Sequence, residues 1–400
     1  MTVCVKRAFR YRFYPTSEQA AELARTFGCV RKVYNMALAA RTEAWARGER
    51  VNYNATSAML TAWKKAEELA YLSEVSSVPL QQCLRHLQGA FVAFWEKRAK
   101  YPRFKSRKRS RKSAEYTSSA FRFRDGRMYL AKMKDPLNIV WSRPRPLPEG
   151  AQPTTVTVSQ DAAGRWFVSM LCEDPGVKPL PATDSAVGID VGLKHLLTLS
   201  TGEKIANPRH ERRDRGRLAK AQRELSRKAK GDGANRRKAR LKVARIHARI
   251  SDRRRDHLHK LTTRLVRENQ TLVIEDLTVR NMVKNRNLAR AISDAAWSEF
   301  RSMLEYKAAW YGREVIAVDR FFPSSRLCSA CGTLQDKMPL SVRTWTCQSC
   351  GTTHDRDMNA AKNLRAAGLA VSVCGAGVRP QRRTPGGPSA TKQKSLRREP

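Results

Sequence analysis

The chain has 400 residues, more than one hydrophobic core comfortably organises, and this predicts two or three compact units. It carries 78 Lys and Arg against 36 Asp and Glu, a net charge of +42, so a polyanion is expected to offset the self-repulsion, with nucleic acid the first candidate. No apolar run approaches the length of a membrane helix, and MTVCVKRAFRYRF places its charges too early for a secretory signal; no membrane partner and a cytoplasmic location are expected.

KRAFRYRFYPTSEQ alternates apolar and basic residues as a strand does, then meets Pro15 and a Thr-x-x-Gln helix start. From Gln19 to Trp95 apolar residues recur at helical spacing, predicting a small bundle. Arg31, Lys32, Lys64, Lys65 and Arg85 keep one of its faces basic. YPRFKSRKRSRK, residues 101–112, is read as a contact to a nucleic-acid backbone. Strands follow in AFRFRDGRMYLA and LNIVW, and in TVTVSQDAAGRWFVSMLC, which turns at Asp161 to Gly164. The helical bundle is therefore expected as an insertion in a β-rich unit, and the proline-containing stretch at 176–185 as a linker.

VGIDVGLKHLLTLSTGEKI predicts strands paired antiparallel. Between Arg209 and Lys260 stand 21 Lys and Arg against 6 Asp and Glu, with apolar residues every three or four positions. This predicts two long basic helices turning at 231–233. TLVIEDL and REVIAVDRFF are expected strands flanking a helix, WSEFRSMLEYKAAWYG, and the last twenty or so residues are expected to be disordered.

Asp190 lies inside an apolar strand, where a buried charge needs an offset such as a metal ion. Gly188 and Gly192 beside it are expected to leave room for a phosphate or a metal. Glu275 ends the strand of TLVIEDL, and Asp276 is expected to point to the opposite side. In HDRDMNAAKNL, Asp357 leads a helix, and spacing alone leaves Asp355 as a competitor for the third acid. Three such carboxylates suit two Mg²⁺ ions, which activate water in phosphodiester hydrolysis.

Four of the nine cysteines form two CxxC pairs, Cys328 with Cys331 and Cys347 with Cys350, separated by fifteen residues, a spacing that predicts a closed, structural Zn²⁺ ribbon. His354 is expected to be a local polar contact, with a substitute ligand the alternative, and the five scattered cysteines small buried hydrophobes.

GIDVGLKHLLTLS, LVIEDL, SSRLCSACG and TCQSCGTTHDRDMNAAKNL, with the Arg-rich region between the first two, resemble the TnpB (OrfB) proteins of insertion sequences, which are related to type V CRISPR effectors. The resemblance implies an α/β multidomain protein: a RuvC-like (RNase H-type) catalytic domain with zinc ribbon, plus an N-terminal β wedge domain with inserted helical bundle. Its implied limits are a wedge at 1–15 and 100–178, a helical recognition insertion at 16–99, and a RuvC-like domain at 184–365. The last includes a basic helical hairpin at 207–268 and a zinc ribbon at 325–353, with a basic tail at 376–400. The implied activity is RNA-guided, metal-dependent DNA endonuclease cleavage of a double-stranded target beside a short motif. The implied partners are a guide RNA from the transposon end and one monomer per RNA, in a prokaryotic, nucleoid-associated setting. It assigns Asp190, Glu275 and Asp357 as catalytic and as ligands of Mg²⁺ or Mn²⁺. Tyr53, Gln82, Lys105 and Ser118 are candidate motif readers, and Arg107, Arg212, Arg236 and Arg253 further nucleic-acid contacts. The competing expectations are a non-cleaving RNA-guided regulator, a strand-joining transposase and a Holliday-junction resolvase.

Overall fold

The computed structural model describes residues 5–142, 147–229, 233–339 and 341–374. The chain divides into two compact units: Met1–Lys178 with Arg213–Asp252, and Pro179–Arg212 with Arg253–Pro400.

In the first unit, β1 (Val5–Phe13) turns Phe9, Tyr11 and Phe13 inward and Arg10 outward, as a period of two requires. Thr16 then starts a helix with a capping box: its hydroxyl accepts from the Gln19 amide at 3.2 Å, and the Gln19 side chain accepts from the Thr16 amide at 3.1 Å. Three α-helices follow before the next strand: α1 (Ser17–Ala46), α2 (Tyr53–Lys65) and α3 (Ser77–Trp95). Val33, Ala37 and Leu38 pack with Leu60 of α2 and with Leu80, Leu84, Leu87 and Phe91 of α3. Each fully buried Leu or Phe contributes roughly 1.5–3 kcal/mol.

The chain returns as β2 (Lys112–Thr117), the hairpin β3 (Phe121–Arg124) and β4 (Arg127–Leu130), a two-residue β5 (Ile139–Val140), β6 (Pro153–Gln160) and β7 (Trp166–Asp174). Asp125 and Gly126 between β3 and β4 both hold positive φ, 50° and 69°, the backbone a tight hairpin demands. One antiparallel sheet has the order β2-β6-β7-β1-β5. β1 pairs with β7 along its whole length, from Val5 opposite Asp174 to Phe13 opposite Trp166. Leu23 and Phe27 of α1 pack into the core of this sheet.

The second unit is built on β8 (Ala186–Val191), β9 (His195–Leu199), β10 (Lys204–Ala206), β11 (Thr271–Glu275) and β12 (Glu314–Val318), in the order β10-β9-β8-β11-β12. β11 runs parallel to both β8 and β12, while β9 is antiparallel to β8 and β10 to β9. Parallel strands covered on both faces read as unbroken apolar runs, which accounts for TLVI in β11. Leu272 and Ile274 join a core with Leu261, Leu265, Phe300 and Leu304, whereas Val273 faces the other way toward Leu364.

The basic segment forms α4 (His210–Ser226) and the 36-residue α5 (Gly233–Glu268). Leu218, Ala221, Val243, Ile246 and Ile250 make a narrow apolar seam between them, and many of the surrounding Lys and Arg are exposed. The turn expected at 231–233 lies largely outside the described residues, as does the tail at 376–400. Short α6 (Val279–Met282) and α7 (Ala289–Ala295) lead to α8 (Trp297–Tyr311); after β12 come β13 (Thr344–Thr346), β14 (Thr353–Asp355) and α9 (Arg356–Cys374). Among the described residues no helix is long and apolar enough to cross a membrane.

Candidate functional site

Asp190 stands near the end of β8 and Glu275 at the end of β11. Ile189 pairs with Ile274 across these parallel strands, so the two acids are the next residues along neighbouring strands. Asp357 enters from the first turn of α9. Burial, then the nearby Asp357 and Glu275 carboxylates, push the Asp190 carboxyl well above its ordinary range; Arg356 and Arg343 only partly oppose this. Glu275 is raised as well, by burial first and by Asp276 second. Asp190 therefore lies within electrostatic reach of both Glu275, at the end of the neighbouring strand, and Asp357, at the start of α9.

The neighbouring acids are engaged elsewhere. Asp276 pairs with Arg301 at 2.6 Å and Arg320 at 2.9 Å, and the Arg301 contact leads in holding it below the usual carboxylate range. Asp355 accepts from Lys204 Nζ at 2.6 Å and from the Met358 amide at 3.0 Å, capping α9. Partial burial acts to raise Asp355, but Lys204 and the helix amides outweigh it and lower its pKa.

The two glycines play another part than the one expected. A Cβ on Gly188 would meet the Ala361 carbonyl oxygen at 2.0 Å, and one on Gly192 the His195 carbonyl oxygen at 2.8 Å. The space at Gly188 is taken by the α9 backbone, and that at Gly192 by the turn into β9.

Several residues that position the site carry no sequence signature of their own. Arg343 donates to Asp357 Oδ1 at 3.2 Å. The α9 side chains Asn359 and Asn363 both donate to the Leu327 carbonyl, at 2.7 and 2.6 Å, and Asn359 Oδ1 accepts from the Ser329 amide at 2.9 Å. Buried Arg356 donates to the Pro339 carbonyl at 2.7 Å. Asn359 and Asn363, four apart on an alanine-rich helix, are the one hint that sequence reading left unused.

These contacts hold the loop that opens the cysteine cluster. The sulfurs of Cys328, Cys331, Cys347 and Cys350 all lie within 4.8 Å of one another, with 3.7 Å between Cys328 and Cys350 and 3.6 Å between Cys331 and Cys347. Two matching knuckles build it: Gly332 donates to the Cys328 carbonyl and Gly351 to the Cys347 carbonyl, each at 2.9 Å. Both glycines have positive φ, 76° and 69°. Thr333 lowers the Cys331 thiol to about 6, favouring thiolate. His354 is buried, lies against the Trp345 ring at 4.7 Å and stands 3.0 Å from Cys328 Sγ.

The expected nucleic-acid residues stand in different local settings. Tyr53 opens α2 and takes a hydrogen bond from Arg85 at 3.3 Å; Gln82 is half-buried on α3; Ser118 is exposed after β2. Lys105 turns inward, its ammonium 3.8 Å from the Tyr34 ring centre, and burial lowers its pKa. Arg107, Arg212 and Arg253 are exposed, while Arg236 donates to the Leu225 and Lys228 carbonyls at the end of α4.

The mixed α/β fold is similar to that of the protein in a solved Cas12f1-sgRNA-target DNA complex, with a TM-score of 0.57 at 14% identity, covering 90% of this chain and 99% of that one. Residues 156–286 match the OrfB_IS605 family, described as a probable transposase; 297–364 match the Cas12f1-like TNB domain, and 1–50 the OrfB_IS605 helix-turn-helix domain. A protein of Streptomyces pristinaespiralis named as an RNA-guided DNA endonuclease is 69% identical, over 99% of this chain and 96% of its own length. A protein of Escherichia coli K12 with the same designation, InsQ, is 36% identical over 92% of this chain and 94% of its own. The chain belongs to the OrfB, or TnpB, family of insertion-sequence proteins.

Proposed function

We propose that this protein is an RNA-guided DNA endonuclease whose second unit is a RuvC-like, RNase H-type domain that hydrolyses both strands of a target at one site. The observation that carries the reading is that Asp190, near the end of β8, feels the carboxylates of both Glu275, at the end of β11, and Asp357, at the start of α9, which together with burial disfavour its charge. A cation held beside Asp190 would offset the cost that burial and the two neighbouring carboxylates place on its charge. The sheet order, with three strands in antiparallel sequence and two more parallel to the first, supports the RNase H-type reading.

Asp190, Glu275 and Asp357 are the residues that would hold divalent ions, Mg²⁺ or Mn²⁺, which when bound activate water and stabilise the leaving oxygen of a phosphodiester. Asp357 is preferred to Asp355 as the third acid, because it is Asp357 that acts on Asp190, while Asp355 is spent on Lys204 and the helix cap. The sulfur spacings of 3.6 and 3.7 Å fit a tetrahedral Zn²⁺, whose bonds of roughly 2.3 Å set sulfurs about 3.8 Å apart. Four thiolates leave no open position, so that ion would brace the loop before Asp357 and take no part in chemistry.

The guide is proposed to be an RNA from the transposon end, bound by one monomer, with base pairing supplying the sequence specificity and the first unit reading a short motif beside the target. Exposed basic residues of α4 and α5 supply phosphate contacts. The test is cleavage of a plasmid library with randomised flanks by protein purified with its RNA and Mg²⁺, beside Asp190→Ala. Cuts that follow the RNA and vanish in the variant are expected. Target binding without cuts by either protein would mark a regulator, and joined rather than hydrolysed ends a transposase.

A further inference from the structure

The first unit exposes several aromatic side chains, Trp45 (70% exposed), Trp95 (57%) and Phe104 (62%) most, with Phe94 and Tyr101 less so. Four rings interlock here, those of Phe91, Phe94, Trp95 and Tyr101. Tyr101 stands edge-on to Phe94 at 5.3 Å and to Phe91 at 5.5 Å, and Phe91 lies 5.7 Å from Trp95. The Arg41 guanidinium sits 4.1 Å from the centre of Phe91 and 5.9 Å from that of Trp95. Trp45 follows Arg41 by one turn on the same side of α1. The segment carrying Tyr101 and Phe104 is tied to α1, since Asn35 exchanges hydrogen bonds of 2.8 and 2.9 Å with the Lys105 backbone and Thr42 meets the Tyr101 hydroxyl at 2.8 Å.

Charge decides what such a surface receives. Residues 96–112 hold ten Lys and Arg and a single acid, Glu96, which pairs with Arg98. A second copy of the chain would bring the same positive charge to the contact. Rings and cations together suit a strand whose bases are unpaired: each base offers a flat apolar face, and each phosphate a negative charge.

We propose that the surface carrying Trp45 and Trp95 is a stacking platform for an unpaired DNA strand, the strand displaced when the target opens. This rests on the RNA-guided endonuclease reading for its source of unpaired DNA. The choice of DNA follows from the polar groups within the platform: Thr42 and Tyr101 are spent on each other and Gln88 on Arg41, which leaves little to read base edges. Such a platform tolerates any sequence. A displaced target strand varies from target to target, whereas a guide scaffold is fixed and rewards base-specific contacts.

The experiment uses the full chain loaded with its guide RNA and fluorescein-labelled 20-nucleotide strands not complementary to the guide, one oligo-dT and one of mixed sequence. Trp45→Ala with Trp95→Ala is expected to weaken both by about tenfold or more. The salt dependence should stay unchanged, because no charge is removed. Phe at both positions should restore most of the affinity. Unchanged affinity in the Ala variant overturns the platform. Faster loss of guide RNA with DNA binding intact reassigns the surface to RNA, and a wild-type dimer that the variant splits reassigns it to self-association; either overturns the proposal. Failure of the plasmid assay with oligonucleotide binding and its Trp dependence intact would count against the nuclease reading alone.

Discussion

Gly188 of β8 lies directly beneath the carbonyl oxygen of Ala361 in α9, where an added methyl group would stand 2.0 Å from that oxygen and 2.7 Å from the Arg365 nitrogen. Gly368, further along the same helix, meets Val273 of β11 in the same way, its Cβ position 2.5 Å from a valine methyl. The helix thus seats its backbone against two adjacent strands. Asp190 is two residues beyond Gly188, and Asp357 is one turn before Ala361, so this contact sets how the two carboxylates approach.

Gly188→Ala is therefore expected to lift α9 from the sheet and destabilise the protein by about 3 kcal/mol or more, with loss of cleavage. Gly28→Ala is the control: it lies within α1 with nothing within 4 Å of its Cβ position, and should stabilise by roughly 0.5–1 kcal/mol. Thermal unfolding of both variants checks the pair. Equal melting temperatures would mean that α9 is not seated as described.

Asp190→Asn is expected to abolish cleavage and yet raise the melting temperature in magnesium-free buffer. The folded-state pKa of Asp190 lies well above its unfolded value, so the folded protein holds this proton more tightly. Stability is lost as pH rises from the unfolded value, near 4, through the raised folded value, and at neutral pH the wild type bears that cost. Asparagine carries no charge to bury. A rise of roughly 3 °C is expected at pH 7.5, vanishing near pH 4, with added Mg²⁺ stabilising the wild type more than the variant. A variant less stable than wild type at pH 7.5 without metal would contradict it.

Local pattern accounts for much of the fold. The alternation of VKRAFRYRF, the Thr16–Gln19 capping box and the Asp161 to Gly164 turn each specify an element from a few adjacent residues, and each is present. The pairing of β1 with β7 joins residues about 160 apart, which no local periodicity encodes. The same limit applies at the site. An acid in an apolar strand marks Asp190, because burying a charge needs an explanation visible in the sequence itself. The seat of α9 on Gly188, the grip of Asn359 and Asn363 on the Leu327 carbonyl, and the use of Lys204 to neutralise Asp355 depend on backbone positions that only the assembled fold brings together. Lys105 shows the converse: in sequence it belongs to an exposed basic run, yet its ammonium packs on Tyr34.

Asp355 and Asp357 should separate cleanly on substitution. Asp357→Ala is expected to reduce cleavage to background while leaving stability nearly unchanged, since its side chain pairs with Arg343 in a part-exposed contact. Asp355→Ala removes the cap on Met358 and the partner of Lys204, and should cost about 1–2 kcal/mol while retaining measurable cleavage. Single-turnover rates and urea unfolding on both variants decide the assignment. Background cleavage by Asp355→Ala beside an active Asp357→Ala would exchange the roles.

Removal of zinc should be felt at the carboxylates through the chain that links them. The purified protein is expected to contain about one zinc per chain, bound by Cys328, Cys331, Cys347 and Cys350. The loop at 324–329, held by Asn359 and Asn363, opens this cluster, and Arg343, which pairs with Asp357, lies between its two knuckles. Cys331→Ser with Cys350→Ser, at the two exposed thiols, should lose the zinc and loosen both attachments. Hydrogen exchange should then rise across 324–355 while β8 and β11 stay protected, and cleavage should fall far more than guide-RNA binding. Loss of zinc with unchanged exchange and unchanged cleavage would show that the cluster stands apart from the site. Collapse of protection in β8 as well would show that the metal supports the whole unit.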